Sequence, residues 1–196
     1  MKTLIISLTI VLNLILAGAV QAQQQDAPGV NPHTGDFTFP GDVAVLPLSD
    51  AGSHPMIQVD FGEGKTYRFI VDTGASLNVI DGSIAEELSF EKLGITEIGA
   101  PGGNQVPGDI VLSTPFKLEN GTVQNAQFVT MDISGLTMGM AQGVIGTSLF
   151  RDYLLTYDLK NQEIRVSKQL LTEDDPDVVP FTLSEGHNLL DAIARG

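Results

Sequence analysis

The stretch Phe-Ile-Val-Asp-Thr-Gly-Ala-Ser-Leu-Asn-Val-Ile occupies residues 69–80 and decides how the rest of the chain is interpreted. An apolar run leads into the carboxylate of Asp72, a small hydroxyl residue and a glycine, and a second apolar run follows. Burying a carboxylate between two such runs costs several kcal/mol unless hydrogen-bond donors or a partner group satisfy it. Asp72 is therefore either a strand-end aspartate that accepts backbone N–H groups in a turn, or a functional carboxylate.

The residues before Asp72 have the pattern of a β-hairpin. Apolar and polar side chains alternate over residues 56–61, a turn follows at residues 62–65, and the strand pattern resumes at residues 66–71. The second strand of this hairpin would deliver the chain to Asp72. Gly64-Lys65-Thr66 resembles the end of a phosphate-binding loop, but Val59 stands where that motif needs glycine and a strand follows instead of a helix. We exclude a phosphate-binding loop.

The remainder of the chain is mainly of strand type. Residues 83–86 have the spacing of a capping box and predict a helix of about ten residues ahead of Gly94. Asn120-Gly121 is typical of a hairpin turn. Strand patterns occupy residues 43–46, 116–118, 123–131, 154–158 and 163–166, and residues 143–146 precede a short helical turn. These patterns predict an all-β domain with one or two short helices.

The N-terminus has the three parts of a secretory signal peptide. Lys2 precedes an apolar run at residues 4–20, and the small residue Ala22 is suited to cleavage. An uncleaved membrane anchor is the alternative, because the run is close to the ~18 residues that span a bilayer. Thr9 and Asn13 interrupt the run. We predict cleavage after Ala22, export to the periplasm or medium, and no stable membrane insertion afterwards.

Composition divides the rest of the chain into three parts. Residues 23–41 are rich in Gln, Gly, Pro and Asn and predict a leader or linker. Residues 42–168 carry the strand patterns and form the predicted domain. Residues 169–196 are less regular and are assigned to a C-terminal extension.

Charge and residue types exclude several functions. The 196-residue chain carries a net charge of -14, which becomes -15 when Lys2 leaves with the signal peptide, so nucleic acid is not an expected partner. There is no cysteine, which excludes disulfides and thiolate metal sites. His33, His54 and His187 lack the spacing of zinc ligands, and there is no Gly-x-Ser-x-Gly elbow. We predict no metal and no cofactor.

Four segments together resemble the retropepsin-like aspartic peptidases. The segment Asp72-Thr73-Gly74-Ala75-Ser76 resembles their active-site loop, and residues 98–103 resemble their glycine-rich flap. Val144-Ile145-Gly146 resembles the apolar-apolar-glycine motif that precedes a short helix, and residues 154–166 resemble the closing strand pair. The resemblance covers about residues 42–168. One departure is Gln142, where the family pattern leads us to expect an acidic residue.

The resemblance implies a fold, a site and a role for each matching residue. The fold would be a single-lobe, retropepsin-like closed barrel with a six-stranded core. Asp72 would be the catalytic carboxylate, the Thr73 hydroxyl would brace two active-site loops against each other, and Gly74 would let its backbone approach the carboxylates. The implied set has loop support at Thr73, Gly74, Ala75 and Ser76, a mobile flap at Gly99, Gly102 and Gly103, and the second glycine motif at Val144, Ile145 and Gly146.

The chemistry of this family needs two carboxylates, and the chain offers one suitable loop. Asp-Thr-Gly occurs once, and Asp132-Ile133-Ser134-Gly135 has an extra residue that spoils the pattern. We therefore predict a homodimer in which two copies of Asp72 pair, working as an endopeptidase on peptide or protein substrates. Two alternatives remain: a catalytically silent domain that binds peptides in its groove, and an exported scaffold anchored by the apolar N-terminus.

Overall fold

The computed structural model describes residues 34–49, 54–75, 77–99, 105–172 and 175. The predicted signal peptide at residues 1–22, most of the predicted leader and nearly all of the C-terminal extension lie outside the described residues. Within these ranges, no helix is both long enough and apolar enough to cross a membrane.

The described chain consists mainly of short strands. The strands are β1 (Asp36–Thr38), β2 (Val43–Pro47), β3 (Met56–Asp60), β4 (Thr66–Asp72), β5 (Asn78–Asp81), β6 (Glu91–Gly99), β7 (Gln105–Leu112), β8 (Phe116–Leu118), β9 (Gly121–Gln124), β10 (Gln127–Met131), β11 (Gly143–Gly146), β12 (Leu154–Asp158) and β13 (Glu163–Ser167). The helices are α1 (Gly82–Glu87), α2 (Ile133–Leu136) and a 3-10 turn at Thr147–Phe150.

The strands form two sheets. Ten of the described strands pair in the order β1-β9-β8-β3-β4-β11-β5-β10-β7-β6, and three more pair in the order β12-β13-β2. The larger sheet is strongly curled into a half-barrel, with β1 and β6 at its edges. The predicted all-β class with short helices is confirmed, and the predicted barrel takes this half-barrel form.

The curled sheet buries a different apolar cluster on each side of β4. Phe69 and Val71 belong to the main core, a cluster that also contains Leu46, Phe116 and Phe128. The Phe69 and Phe128 rings meet edge to face with centroids 6.0 Å apart, a favourable aromatic geometry. The second core lies on the opposite side of the strand and consists of Met56, Ile70, Ala75, Val79, Ile133, Ala141 and Val144. Successive side chains of a strand point to opposite faces, so neighbouring residues of β4 belong to different clusters.

The folded part begins upstream of the predicted domain boundary at residue 42. Residues 36–38, which composition assigns to the leader, form β1 and pair with β9. Phe37 and Phe39 are buried, and the Phe37 ring lies edge to face against Phe150 at 5.5 Å. Proline and glycine dominate the composition of this segment. Composition alone therefore did not indicate that its two phenylalanine side chains are buried.

The helix of about ten residues predicted ahead of Gly94 is shorter than expected and has a different cap. Asp81, rather than Ser83, caps α1, because the Asp81 side chain accepts the N–H of Ser83. The helix ends at Glu87, and the chain enters β6 at Glu91. From Glu91 onward the residues pair with β7 in a long antiparallel ladder, so they cannot extend the helix.

The predicted hairpin at Asn120-Gly121 exists with its turn shifted by one residue. Leu118 pairs with Gly121, so the two-residue turn is Glu119-Asn120. A Cβ at Gly121 would collide with the Phe37 ring, so packing against β1 favours glycine as a strand residue there. The predicted strand at residues 123–131 is also divided into β9 and β10, since Asn125 has a positive φ of 54° between them.

Candidate active site

Asp72 is the last residue of β4 and begins a tight turn. Its Oδ1 atom accepts the backbone N–H of Gly74 at 2.8 Å, and its backbone carbonyl accepts the N–H of Ala75 at 3.2 Å. The side chain remains partly exposed, and Thr73 and Gly74 beside it are exposed. The turn satisfies part of the hydrogen-bonding capacity of the carboxylate and leaves the side chain partly exposed.

Strand β11 lies between β4 and β5, directly beside the Asp72 turn. Gly146 pairs in register with Asp72, and the N–H of Thr147 donates to the carbonyl of Ala75 at 3.2 Å. A Cβ on Gly146 would lie 2.7 Å from the carbonyl oxygen of Leu77 and 2.8 Å from that of Ala75. The second glycine motif therefore has a steric basis: the turn can pack on β11 because residue 146 has no side chain.

Asn78 ties the Asp72 turn to the surrounding structure. Its side chain is 1% exposed, its Nδ2 donates to the carbonyl of Thr34 at 2.7 Å, and its Oδ1 accepts the N–H of Gly146 at 3.2 Å. Sequence reasoning assigned it no role. The signal was a single polar residue in the apolar run Leu77-Asn78-Val79, since a buried amide must find partners.

Gln142, the departure from the family pattern, has a definite structural role. Its Oε1 accepts the N–H of Arg68 at 3.0 Å, and its Nε2 donates to the carbonyl of Gly139 at 3.2 Å. A carboxylate could replace the first bond but has no N–H to supply the second. The next residue, Gly143, has no room for a side chain, because a Cβ there would collide with the Phe69 ring.

An apolar row crosses the sheet on the Asp72 side. Ile70 lies in register between Met56 of β3 and Val144 of β11, and Val144 lies opposite Val79 of β5. Residues two apart on a strand share a face, so Ile70 and Asp72 point to the same side of β4. The carboxylate therefore projects next to the second core.

The predicted flap lies at the end of a long hairpin. Strands β6 and β7 pair from Glu91 opposite Leu112 to Gly99 opposite Gln105. Gly99 is thus the last strand residue before the connection. Gly102 and Gly103 of the flap, and Ser76 of the active-site loop, lie outside the described residues.

Comparison with known proteins assigns this segment to a family. Residues 57–149, which include the hairpin before Asp72 and the whole of β11, match the family model of aspartyl proteases. This segment is therefore similar to aspartyl proteases. The predicted resemblance to retropepsin-like aspartic peptidases is confirmed. No curated protein matches the chain.

Among solved structures, the chain is similar to a retropepsin-like aspartic protease from Rickettsia conorii. The identity is 16% and the TM-score is 0.44, with 68% of this chain and 95% of that chain covered. At that TM-score the likeness carries no argument of its own. The assignment rests on the family match and on the order of the elements around Asp72.

Tyr157, a residue of β12, has a pKa that is raised by its surroundings. Burial, followed by the negative charge of Asp72, raises the pKa of Tyr157 to about 12. The phenol is therefore neutral, and can donate a hydrogen bond, throughout the pH range of ordinary enzyme assays. Sequence reasoning placed this residue in the closing strand pair and gave it no role.

Asp81, at the end of β5, is the buried carboxylate nearest to the site in sequence. It is 5% exposed, and its two oxygens accept from Ser83 N at 3.0 Å, Ser83 Oγ at 2.6 Å and Ser134 N at 2.9 Å. Burial acts to raise the pKa of Asp81, but these hydrogen bonds together outweigh burial and hold the pKa below its usual value. Asp81 joins α1 to α2.

In the part of the chain that is described, no three His, Cys, Asp or Glu side chains are grouped so as to hold a metal ion.

Proposed function

We propose that this chain is an aspartic endopeptidase that hydrolyses peptide bonds in peptide or protein substrates, with Asp72 as its catalytic carboxylate. The observation that carries the proposal is the partly exposed Asp72 carboxylate, held by Gly74 N–H at the end of β4 and packed beside Gly146. It lies within the segment that matches aspartyl proteases.

The proposed chemistry uses two carboxylates that share one proton. Two unit charges about 3 Å apart at an effective dielectric of ~20 repel by about 5 kcal/mol, so one carboxyl of such a pair stays protonated. The ionised carboxylate takes a proton from a water molecule, whose oxygen attacks the peptide carbonyl carbon. The protonated carboxyl donates its proton to the carbonyl oxygen. Collapse of the resulting diol breaks the C–N bond, and the amine leaves with a proton from the pair.

The second carboxylate would come from a second copy of the chain. A symmetric dimer would place both Asp72 residues near its two-fold axis, and the exposed Thr73 of each copy could meet its counterpart there. Asp132 does not supply an equivalent site, because it accepts the N–H of Gly135 at 2.7 Å and caps α2. The net charge of -15 on each mature subunit opposes pairing, so the dimer should be favoured by moderate salt.

Export remains part of the proposal on the basis of residues 1–22. Cleavage after Ala22 would release a mature protein that begins at Gln23. Sequencing the N-terminus of the protein recovered from the producing cells tests this directly. A protein that still begins at Met1 and sediments with membranes would favour the anchored scaffold.

The decisive test is cleavage of a mixed peptide library by the purified mature protein from about pH 3 to pH 8. Parallel reactions should contain an inhibitor that mimics the tetrahedral intermediate of aspartic proteases. Cleavage that this inhibitor abolishes would support an aspartic endopeptidase. Binding of the library without any cleavage would instead favour a silent domain that holds peptides in its groove.

The dimer is tested by mixing wild-type chains with an excess of Asp72→Asn chains after subunit exchange. Exchange would trap wild-type chains in dimers with one Asp72, so activity per wild-type chain should fall strongly. Constant activity while the subunits demonstrably exchange would mean that a carboxylate of the same chain completes the site. Asp81, Asp109, Asp132 and Asp158 would then be the residues to replace.

A further inference from the structure

Asn78, the first residue of β5, is a polar side chain in a buried position. It is 1% exposed, and its neighbour Val79 is buried as well. An amide costs free energy in such a place unless its donors and its acceptor are satisfied. Its Nδ2 donates to the carbonyls of Thr34 at 2.7 Å and Gln127 at 3.4 Å, and its Oδ1 accepts the N–H of Gly146 at 3.2 Å. Both N–H groups of the amide and its oxygen are therefore engaged.

The hydrogen bond between Asn78 and Gly146 lies where the backbone ladder between β5 and β11 ends. The register of the two strands ends with Val144 opposite Val79. Gly146 lies two residues beyond that pair, and the side chain of Asn78 supplies the acceptor for its N–H. A side-chain bond thus continues the contact between the two strands at the point where the backbone pairing stops.

Gly146 also supports the Asp72 turn from the opposite side, because β11 lies between β4 and β5. Gly146 pairs in register with Asp72, and the next N–H, that of Thr147, donates to the carbonyl of Ala75 at 3.2 Å. Both ends of the turn therefore rest on Gly146 and Thr147. Since Asn78 holds Gly146 from the β5 side, a shift of the Asn78 amide would move the support of the turn.

Thr34 fixes the Asn78 amide together with a second group near the site. It is 2% exposed, its carbonyl accepts from Asn78, and its Oγ1 accepts from Arg151 Nη2 at 3.3 Å. Arg151 directly follows the 3-10 turn at residues 147–150, and its Nε donates to the carbonyl of Ser148 at 3.2 Å. Thr34 therefore holds both the start of β5 and the end of the 3-10 turn, although composition assigned it to a leader.

We propose that Asn78 is a positioning residue of the aspartic site, which fixes the orientation of the Asp72 carboxylate by holding the Gly146 N–H while it is itself held by the Thr34 carbonyl. This inference rests on the proposed peptidase function. Displacing a catalytic group by about 1 Å can lower a rate on the order of a hundredfold. Because Asn78 is buried, it does not touch the substrate, so its effect should appear in kcat and leave KM unchanged.

The first test is Asn78→Ala, which removes all the hydrogen bonds of the amide. In the protein that remains folded, as measured by circular dichroism, kcat should fall on the order of a hundredfold with KM unchanged. A kcat close to that of wild type in folded Asn78→Ala protein would overturn the positioning role.

Asn78→Asp is a sharper test, and it also serves if the alanine variant does not fold. The new carboxyl has the shape of the amide. When protonated, its O–H can donate to the carbonyl of Thr34 while its other oxygen accepts the N–H of Gly146, but the ionised form has no donor. The kcat of the variant should therefore approach that of wild type at acid pH and fall below it as the pH rises. A ratio of the two kcat values that stays constant from about pH 3 to pH 8 would contradict the proposal.

Thr137→Val is the matched control. Thr137 is 3% exposed, and its hydroxyl forms hydrogen bonds with the carbonyls of Ile133 and Ala141 and with the N–H of Ala141. Valine keeps the shape and loses these bonds, so the melting temperature should fall while kcat per folded chain is kept. Equal losses of kcat per folded chain in Thr137→Val and Asn78→Ala would show a general effect of lost stability, and the positioning role would be wrong.

A measurement on glycine amides separates this inference from the proposed function. In protein labelled with ¹⁵N-glycine, the Gly74 signal reports the N–H that donates to Asp72 Oδ1, and the Gly146 signal reports the N–H that donates to Asn78. Gly74→Ala and Gly146→Ala spectra assign the two signals. Titration of the Gly74 signal with pH follows the ionisation of Asp72 whether or not the protein cleaves peptides.

In Asn78→Ala protein both glycine signals should move, and the pH at which the Gly74 signal titrates should change. Thr137→Val should leave both signals in place. If wild-type protein cleaves no peptide, the proposed function fails, and displaced Gly74 and Gly146 signals would still support the coupling of Asn78 to Asp72. A Gly74 signal with the same position and titration in wild type and Asn78→Ala would overturn that coupling.

Discussion

Asp72 and Asp81 end consecutive strands of the chain and share one local motif, yet the structure treats them differently. Each accepts the backbone N–H of the residue two positions later, from Gly74 at 2.8 Å and from Ser83 at 3.0 Å. Asp81 is almost fully buried and also accepts from Ser83 Oγ and from Ser134 N. Asp72 stays partly exposed beside two exposed residues.

The difference separates a structural carboxylate from one that is available for chemistry. Asp81 accepts hydrogen bonds from residues of two helices, and these bonds hold its pKa below the usual value. Its charge therefore serves to stabilise the fold. Asp72 is positioned by its turn and by β11 and remains partly exposed. A short Asp turn therefore does not define the role of the carboxylate, whereas burial and the number of donors do.

The largest effect should come from Asp72→Asn. Asparagine keeps nearly the same shape but cannot accept the proton of the attacking water, so peptidase activity should fall at least about a thousandfold. Stability should change by no more than about 0.5 kcal/mol, because the side chain is partly exposed. Asp132→Asn is the control: asparagine caps a helix as well as aspartate, so activity should persist. Substantial activity in purified Asp72→Asn protein would refute the assignment.

Gly146→Ala should damage the Asp72 turn through packing alone. The new Cβ would meet the carbonyl oxygens of Ala75 and Leu77, which are backbone atoms that cannot move independently of the turn. We expect a loss of about 1–3 kcal/mol in the free energy of unfolding, together with reduced kcat. Gly94→Ala offers a control, since nothing lies within 4 Å of its Cβ. Equal denaturant midpoints for the two variants would show that the turn tolerates the contact.

Asp81→Asn should affect stability and spare the chemistry. The amide group would place its own N–H donors against the N–H of Ser134 or of Ser83. The free energy of unfolding should therefore fall by about 1–3 kcal/mol. The kcat of the protein that remains folded should be close to that of wild type. A large loss of kcat at full folding would place Asp81 in the site and remove the contrast with Asp72.

The smallest effect concerns pH. Because the folded pKa of Asp81 lies below its unfolded value of 3.8, its contribution to stability is present above about pH 3.8 and is lost as pH falls through the lowered folded value. The difference in unfolding free energy between wild type and Asp81→Asn should therefore shrink on acidification below pH 3.8. Urea titrations at a series of pH values measure it. A difference that stays constant down to the lowest pH would contradict the lowered pKa.

The sequence by itself predicted the features that depend on neighbours along the chain. Alternation at residues 56–61 and 66–71 predicted the hairpin of β3 and β4, and the turn residues after Asp72 predicted the loop that ends β4. The patterns at residues 154–158 and 163–166 likewise predicted β12 and β13. These segments could be predicted because strand periodicity and turn chemistry are local properties.

Tertiary structure alone decided the features that depend on distant partners. Phe37 forms part of a strand because β9 and Phe150 receive it, and α1 ends early because β7 recruits the residues that follow. Asn78 has a structural role because the carbonyl of Thr34 and the N–H of Gly146 both lie beside its side chain. No local pattern encodes these meetings, since the partners lie tens of residues apart and their pairing depends on how the whole sheet curls.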